Sequence, residues 1–127
     1  MKEAWTASAQ MWYDEGENLL RIQVTKDVKL DLEELKNHYL VAGRLTGETK
    51  PFVLVEISSY FVLSAEARKY SAEQAESRRA TAVVTKNNAA VFFVNLYIRL
   101  GKPASPVRLF SSEEKAIKWL KSFAGNK

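Results

Sequence analysis

The chain contains no cysteine and only one histidine, and it has no glycine-rich phosphate loop. Without cysteine it forms neither disulfide bonds nor a thiolate zinc site, which fits a reducing cytosol. One histidine and scattered serines do not make a nucleophilic triad, and no pair of carboxylates stands out as a hydrolase acid and base. We therefore expect a protein that is not an enzyme, with no catalytic residue, no metal site and no cofactor.

The sequence also lacks a long hydrophobic run. Its longest apolar stretch, Ala89–Leu100, contains Asn95 and Arg99 and is far shorter than the roughly 20 residues of a membrane helix. The first twenty residues alternate in polarity and carry four acidic side chains, which is not typical of a signal peptide. We expect a soluble, cytoplasmic protein with no membrane span.

What the sequence does contain is enough apolar material for one core. It has 127 residues, 46% of them hydrophobic, with 14 aromatic residues, so we predict a single domain over residues 1–127. Its net charge of +4 is uneven, being −3 over residues 1–57 and +7 over residues 58–127. Much of the basic excess follows the exposed face of the last helical stretch, and no aromatic residues interleave with it. We expect no nucleic-acid partner.

The polarity pattern predicts an open α/β sheet. Alternating runs at Trp5–Tyr13 and Leu20–Val24, joined by a turn around Gly16, predict an antiparallel hairpin at the edge of the sheet. Three further apolar runs, Phe52–Ile57, Thr81–Thr85 and Val107–Phe110, each precede a helical stretch. Those helical stretches are Ala65–Arg78, Ala89–Leu100 and Glu113–Phe123.

Capping residues mark where the helices begin. Asp31 with Glu34 forms a capping box for the first helix, which Gly47 ends. The other predicted caps are Ser64, Asn87 or Asn88, and a box of Ser111 with Glu114; residues 58–63 are predicted to form a loop. The resulting order is ββαβαβαβα, a mixed five-stranded sheet with the helices mainly on one face.

Two stretches support a family resemblance. The first stretch is residues 95–114 together with Ala116–Leu120, and the second is Glu56–Arg68. Residues 95–114 read Asn-Leu-Tyr-Ile-Arg-Leu-Gly-Lys-Pro-Ala-Ser-Pro-Val-Arg-Leu-Phe-Ser-Ser-Glu-Glu. Together with the element order, they resemble the STAS (sulfate-transporter and anti-sigma-factor-antagonist) domain, in particular an uncharacterised bacterial branch of STAS-like proteins. The resemblance implies a binding role rather than catalysis.

The resemblance singles out Ser64. In anti-sigma-factor antagonists a serine at the start of the second helix is phosphorylated, which switches partner binding, and Ser64 is the nearest match. The chain lacks their Asp-Ser-Ser-Gly signature, and Leu63 stands where the acidic residue would precede the serine. Ser64 is therefore a candidate phosphorylation site with a structural alternative, since an N-cap serine is also expected there.

The third helix is apolar around most of its circumference. A helix that lies on one face of a sheet needs a single apolar stripe, so the excess predicts a second burial surface. Three alternatives remain open: another part of the same chain, a second copy in a homodimer, or a lipid-like ligand. The candidate dimer residues are Phe92, Phe93, Leu96 and Tyr97.

Asn95, Arg99, Lys102 and Arg108 form a candidate anion site near the end of this helix. The alternative is that Arg99 and Lys102 only neutralise the helix C-terminal dipole. His38 is expected to be an exposed helical histidine.

Taken together, we expect a non-catalytic cytosolic protein–protein interaction or regulatory module that forms a homodimer through the third helix. The alternative function is binding of a small ligand, a lipid or an anionic metabolite.

Overall fold

A computed structural model describes residues 2–24, 26–47, 49–101 and 103–124. The strands are β1 Lys2–Trp5, β2 Gln10–Asp14, β3 Leu19–Val24, β4 Val28–Leu30, β5 Phe52–Ile57, β6 Phe61–Leu63, β7 Ala80–Thr85 and β8 Val107–Phe110. The helices are α1 Leu32–Thr46, α2 Ala65–Glu73, α3 Asn88–Gly101 and α4 Glu113–Ala124, with a 3-10 turn at Ala75–Ser77 after α2.

The main sheet is mixed and has the strand order β1-β2-β3-β5-β7-β8. Its first three strands are antiparallel, and β3, β5, β7 and β8 run parallel. A second, two-stranded sheet pairs β4 with β6 in parallel. The predicted mixed sheet and its hairpin are confirmed. The predicted count of five strands and the predicted order ββαβαβαβα are wrong, since the described residues form six strands plus two in the order ββββαββαβαβα.

Two local features account for the extra strands. The alternating run Trp5–Tyr13 is interrupted by a turn in which the Thr6 amide donates to the Ala9 carbonyl oxygen at 2.8 Å, so one predicted strand becomes β1 and β2. The predicted loop over residues 58–63 contains β6, whose Phe61 is paired with Val28. The strands β1 and β6 are both short. They form because each pairs with another strand, rather than because of the local strand propensity of their residues.

Helices cover both faces of the sheet. Along β5, Val53 and Ile57 belong to the core shared with α1, α2 and α3, whereas Phe52 and Leu54 belong to a second core under α4. The expectation of helices mainly on one face therefore holds for three of the four. No parallel strand follows α4 in the described chain, so the crossover rule does not fix the side on which it packs.

The capping predictions hold for the first three helices. The Glu34 amide donates to Asp31 Oδ1 at 2.8 Å, and Gly47 ends α1 at a φ of 67°, which favours glycine. Ser64 Oγ accepts from the Ala67 amide at 3.1 Å, and Asn87 Oδ1 caps α3 by accepting from the Ala90 amide at 3.1 Å.

The cap of α4 differs from the prediction by one residue. Ser112, not Ser111, lies before the first helical residue, and its Oγ accepts from the Lys115 amide at 3.4 Å. Two consecutive serines precede two glutamates here, so the sequence alone does not distinguish the two registers.

None of the helices in the described part of the chain is long and apolar enough to cross a membrane.

Candidate functional site

A cavity of about 130 Å³ lies between the main sheet and helices α1, α2 and α3. The parallel strands contribute short β-branched side chains to its floor, and β4, β6 and the helices contribute larger apolar side chains around it. The apolar lining residues are Ile22, Val24, Leu30, Leu35, Val55, Ile57, Phe61, Leu63, Val83, Phe93, Val94 and Val107. The polar ones are His38, Tyr39, Arg68, Ser71, Arg78, Thr81 and Tyr97.

The cavity is partly open to the surface, and it is larger than the voids of a closed protein interior. Interiors pack as densely as organic crystals and leave few voids larger than a water molecule. An engineered apolar cavity of about 150 Å³ is large enough to bind benzene. The cavity in this chain is therefore large enough for a small organic molecule.

Three hydroxyl groups from three helices meet at the cavity. The Tyr39 hydroxyl of α1 lies 3.2 Å from Ser71 Oγ of α2, and Ser71 Oγ donates to the Tyr97 hydroxyl of α3 at 3.4 Å. Burial raises the pKa of Tyr97, an effect that the Ser71 contact partly offsets. The Tyr97 hydroxyl thus stays protonated near neutral pH, and the cluster presents polar atoms to an otherwise apolar space.

Two half-buried arginines also line the cavity. Arg68 extends from α2, and Arg78 follows the 3-10 turn, with its guanidinium carbon 4.5 Å from the centroid of the Tyr39 ring. Among the described residues, no aspartate or glutamate lines the cavity. Within the described ranges, neither arginine has a carboxylate at ion-pair distance. The polar part of the cavity wall therefore carries positive charge that no carboxylate of the described residues pairs with.

His38 is buried, with 7% of its surface exposed, so the prediction of an exposed histidine is wrong. Its Nε2 lies 2.8 Å from Ser8 Oγ and 3.0 Å from Thr6 Oγ1, both in the turn between β1 and β2. Glu34 Oε1, one helical turn earlier, lies 3.4 Å from the same nitrogen. The turn covers this face of α1, and helical periodicity alone does not reveal such a long-range contact.

Burial is the main cause of a lowered pKa at His38. Glu34 opposes the shift, and the charge of Arg78 adds to it. His38 is consequently neutral at pH 7, and its protonation places a charge between α1 and the first hairpin.

The four dimer candidates divide between two surfaces. Phe93 and Tyr97 line the cavity, and Leu96 is half-buried. Phe92 is 61% exposed on the outer side of α3, and its ring meets that of Phe93 edge to face with centroids 5.5 Å apart. Leu100, eight residues further along, is 69% exposed. An apolar stripe on α3 therefore remains at the surface of one chain.

The structure does not bring the candidate anion site together. Asn95 and Arg99 are exposed on α3, whereas the Arg108 guanidinium carbon lies 5.3 Å from the ring centroid of Phe110, which belongs to the core under α4. Arg108 is thus on the opposite face of the sheet. Lys102 lies outside the described residues. None of the other three lines the cavity, and an anion site there stays a prediction.

Ser64 is half-buried and acts as the N-cap of α2, directly after β6. Its structural role as a cap is confirmed, and its phosphorylation stays a prediction. The sequence placed this residue correctly because capping chemistry is local.

A second polar cluster lies on the α4 face and was not predicted. Arg21 pairs with Glu113 and lies 3.9 Å from Glu56. Burial raises the pKa of Glu56, and the neighbouring Glu113 raises it further. One arginine between two carboxylates is largely neutralised, so this cluster is a contact between the sheet and α4.

Over the residues that the structure describes, no group of three or more metal-ligating side chains is assembled.

Comparison with known proteins identifies the family. The family model described as a domain of unknown function, DUF7793, matches residues 11–124. The chain belongs to the DUF7793 family. No curated protein matches it.

The fold of this DUF7793 chain is similar to that of a solved structure from Shewanella loihica PV-4, an uncharacterised protein of the DUF3478 family with a SpoIIAA-like fold. The TM-score is 0.56 at 13% sequence identity, and the match covers 94% of this chain and 99% of the other. At that identity the likeness concerns the fold alone. It supports the STAS-like architecture implied by the sequence, while the family itself is DUF7793.

The buried position of His38 predicts a specific pH dependence of stability. In the folded chain the pKa of His38 is lowered from 6.5. Below pH 6.5 the unfolded chain therefore binds more protons than the folded chain. The free energy of unfolding should therefore be highest above pH 6.5 and fall as the pH drops through that value, with a slope of at most about 1.4 kcal/mol per pH unit for one proton.

Urea unfolding at pH 7.5, 6.5 and 5.5 measures this dependence. Because His38 is the one histidine in the chain, His38→Gln should lose much of the decline between pH 7.5 and 5.5 while keeping a polar side chain in the same place. Parallel pH profiles for the two proteins would show that His38 is not protonated differently in the folded and unfolded states.

Proposed function

We propose that this DUF7793 chain is a non-catalytic binding domain whose ligand is a small organic molecule held between the sheet and helices α1, α2 and α3. The observation that carries the proposal is the apolar cavity of about 130 Å³. In this reading the domain acts by binding, as a cytoplasmic regulatory or carrier module, rather than by chemical catalysis.

An energetic argument supports an occupant. A closed, empty cavity costs about 24 cal/mol for each Å³, so about 3 kcal/mol is the upper bound for a cavity of this size that is partly open to the surface. Folded domains are stable by only about 5–15 kcal/mol, so this cost is a substantial fraction of the whole. A ligand that fills the space and binds only the folded state offsets that cost by mass action.

The cavity predicts binding of neutral apolar probes. In isothermal titration calorimetry with a series of linear alcohols from butanol to decanol, affinity should rise with chain length and then fall once the chain exceeds the space. Val94→Phe, which adds a ring at the cavity wall, should weaken hexanol binding at least tenfold. Val84→Leu is the matched control, since Val84 packs in the core under α4 on the opposite face.

Two results would contradict the proposal. One is the absence of binding by any alcohol in the series to the folded wild-type protein. The other is equal loss of hexanol binding in Val94→Phe and Val84→Leu, which would show that the probe does not occupy this cavity.

A second candidate function is association of two copies through the outer side of α3. The observation that favours it is the exposure of Phe92 and Leu100, which are two helical turns apart on one face with Leu96 between them. An antiparallel, two-fold pairing centred on Leu96 would place Phe92 against the partner's Leu100.

This candidate predicts a dimer that Phe92→Asp converts into a folded monomer. Sedimentation velocity at tens of micromolar tests the mass, and circular dichroism tests the fold. Leu40→Asp is the matched control, because Leu40 is a similarly exposed apolar residue on α1. A wild-type protein that sediments as a monomer under these conditions rules the homodimer out and leaves a different, regulatory protein as the partner for this face.

A further inference from the structure

We propose that the ligand of this cavity is an amphipathic organic anion, whose apolar body fills the cavity and whose single carboxylate or phosphate group is held by Arg68 and Arg78. The inference rests on the proposed function, the binding of a small molecule in the cavity, and adds the chemical class of that molecule. The anionic oxygen group is the chemistry that carboxylates and phosphate esters share.

The charge of the lining is the first observation. Arg68 and Arg78 are half-buried at the cavity, and no described carboxylate neutralises either one. Arg21, on the other face of the sheet, shows the contrast, since it pairs with Glu113 and lies close to Glu56. A partly desolvated guanidinium without a counter-ion is unfavourable, and an anionic ligand group would supply the missing charge.

Tyr39, His38 and Tyr97, the described groups that interact with Arg78, supply no negative charge. Its guanidinium lies over the Tyr39 ring, and its charge acts on His38, whose pKa is lowered mainly by burial and further by Arg78. Tyr97, the third group near Arg78, keeps its hydroxyl proton because burial raises its pKa. The positive charge of Arg78 therefore remains available to a ligand.

The distribution of polar atoms is the second observation. Arg68 and Ser71 are three residues apart on α2 and share one face of that helix. Ser71 joins the hydroxyl groups of Tyr39 and Tyr97, so two guanidinium groups and three hydroxyls surround the helical side of the cavity. Such an arrangement of donors suits the oxygen atoms of a carboxylate or phosphate.

The sheet side of the cavity is mainly apolar. Ile22, Val55 and Val83 provide its floor, with no charged side chain among the lining residues of the main sheet. A ligand would therefore place its anionic group toward α2 and its hydrocarbon part against the sheet. The volume suits an apolar body of about six to eight non-hydrogen atoms, by comparison with the cavity that binds benzene.

Calorimetry of the full chain at low salt tests the class of ligand. The probes are hexanol, hexanoate and hexyl phosphate, which share one hydrocarbon chain, together with acetate and inorganic phosphate, which lack it. We expect hexanoate or hexyl phosphate to bind at least tenfold more tightly than hexanol, and the two small anions to bind at least tenfold more weakly than the corresponding hexyl compounds. The preference between the two hexyl anions distinguishes a carboxylate from a phosphate ester.

Arginine variants locate the anionic group. Arg68→Gln and Arg78→Gln should each reduce the affinity for the preferred hexyl anion at least fivefold more than they reduce the affinity for hexanol, because only the anion loses a charge partner. Arg79→Gln is the matched control, since exposed Arg79 directly follows Arg78 in the chain but lies over the Phe52 ring, in the core under α4. It should bind every probe as the wild type does.

The outcomes separate this inference from the proposed function. Equal affinity for hexanol and both hexyl anions in the wild type overturns the anionic class and leaves the cavity as a neutral apolar site. Binding of inorganic phosphate as tight as that of hexyl phosphate overturns the amphipathic class. Failure of every hexyl probe to bind overturns the proposed function itself. An equal loss in Arg79→Gln and Arg78→Gln would show general charge attraction and no defined site.

Discussion

The contact between Tyr39, Ser71 and Tyr97 joins three helices above the sheet, and all three residues line the cavity between the helices and the strands. The side chains that rise from the parallel strands beneath are mostly valine, isoleucine and threonine, which are too short to fill the space up to the helices. The hydroxyl contacts of Tyr39, Ser71 and Tyr97 hold side chains of three helices together at the wall of this space. The same three residues supply part of its polar lining, to which Arg68 and Arg78 add positive charge.

The two faces of the sheet show how differently one set of strands can be used. Under α4, small residues such as Ala80 and Ala82 allow the helix to approach closely, and Ala116 and Leu120 complete the core. On the same face, Arg21 is paired with Glu113 of α4. Under α1, α2 and α3, a cavity remains between the layers, and neither Arg68 nor Arg78 pairs with a carboxylate of the described residues. The binding that we propose uses this face, while the α4 face stabilises the fold.

Much of the fold was predictable because its signals are local. The strand Phe52–Ile57, the caps Asp31 and Ser64 and the C-terminal Gly47 follow from periodicity and capping chemistry over a few residues. The predictions failed where a distant partner decides the outcome. The strand β6 forms because β4 pairs with it, and His38 is buried because the turn between β1 and β2 covers it.

The site was less predictable than the fold, because a void leaves no periodic pattern in a sequence. Its polar residues come from three helices and the segment after α2, and its two arginines are ten residues apart in the chain. The excess of apolar residues on α3 did signal a second surface, and the structure divides that excess between the cavity, through Phe93 and Tyr97, and the exterior, through Phe92. Arg108 was grouped with Asn95 and Arg99 by proximity in sequence, yet strand alternation directs it to the opposite face.

The most direct test of this account is a crystal structure determined under xenon pressure, because xenon enters preformed apolar cavities without needing a specific contact. The account predicts a xenon atom between the sheet and α3, within contact distance of Val55, Val83 and Val94. A structure in which these side chains touch across the space, with no xenon between the sheet and the helices, would contradict it.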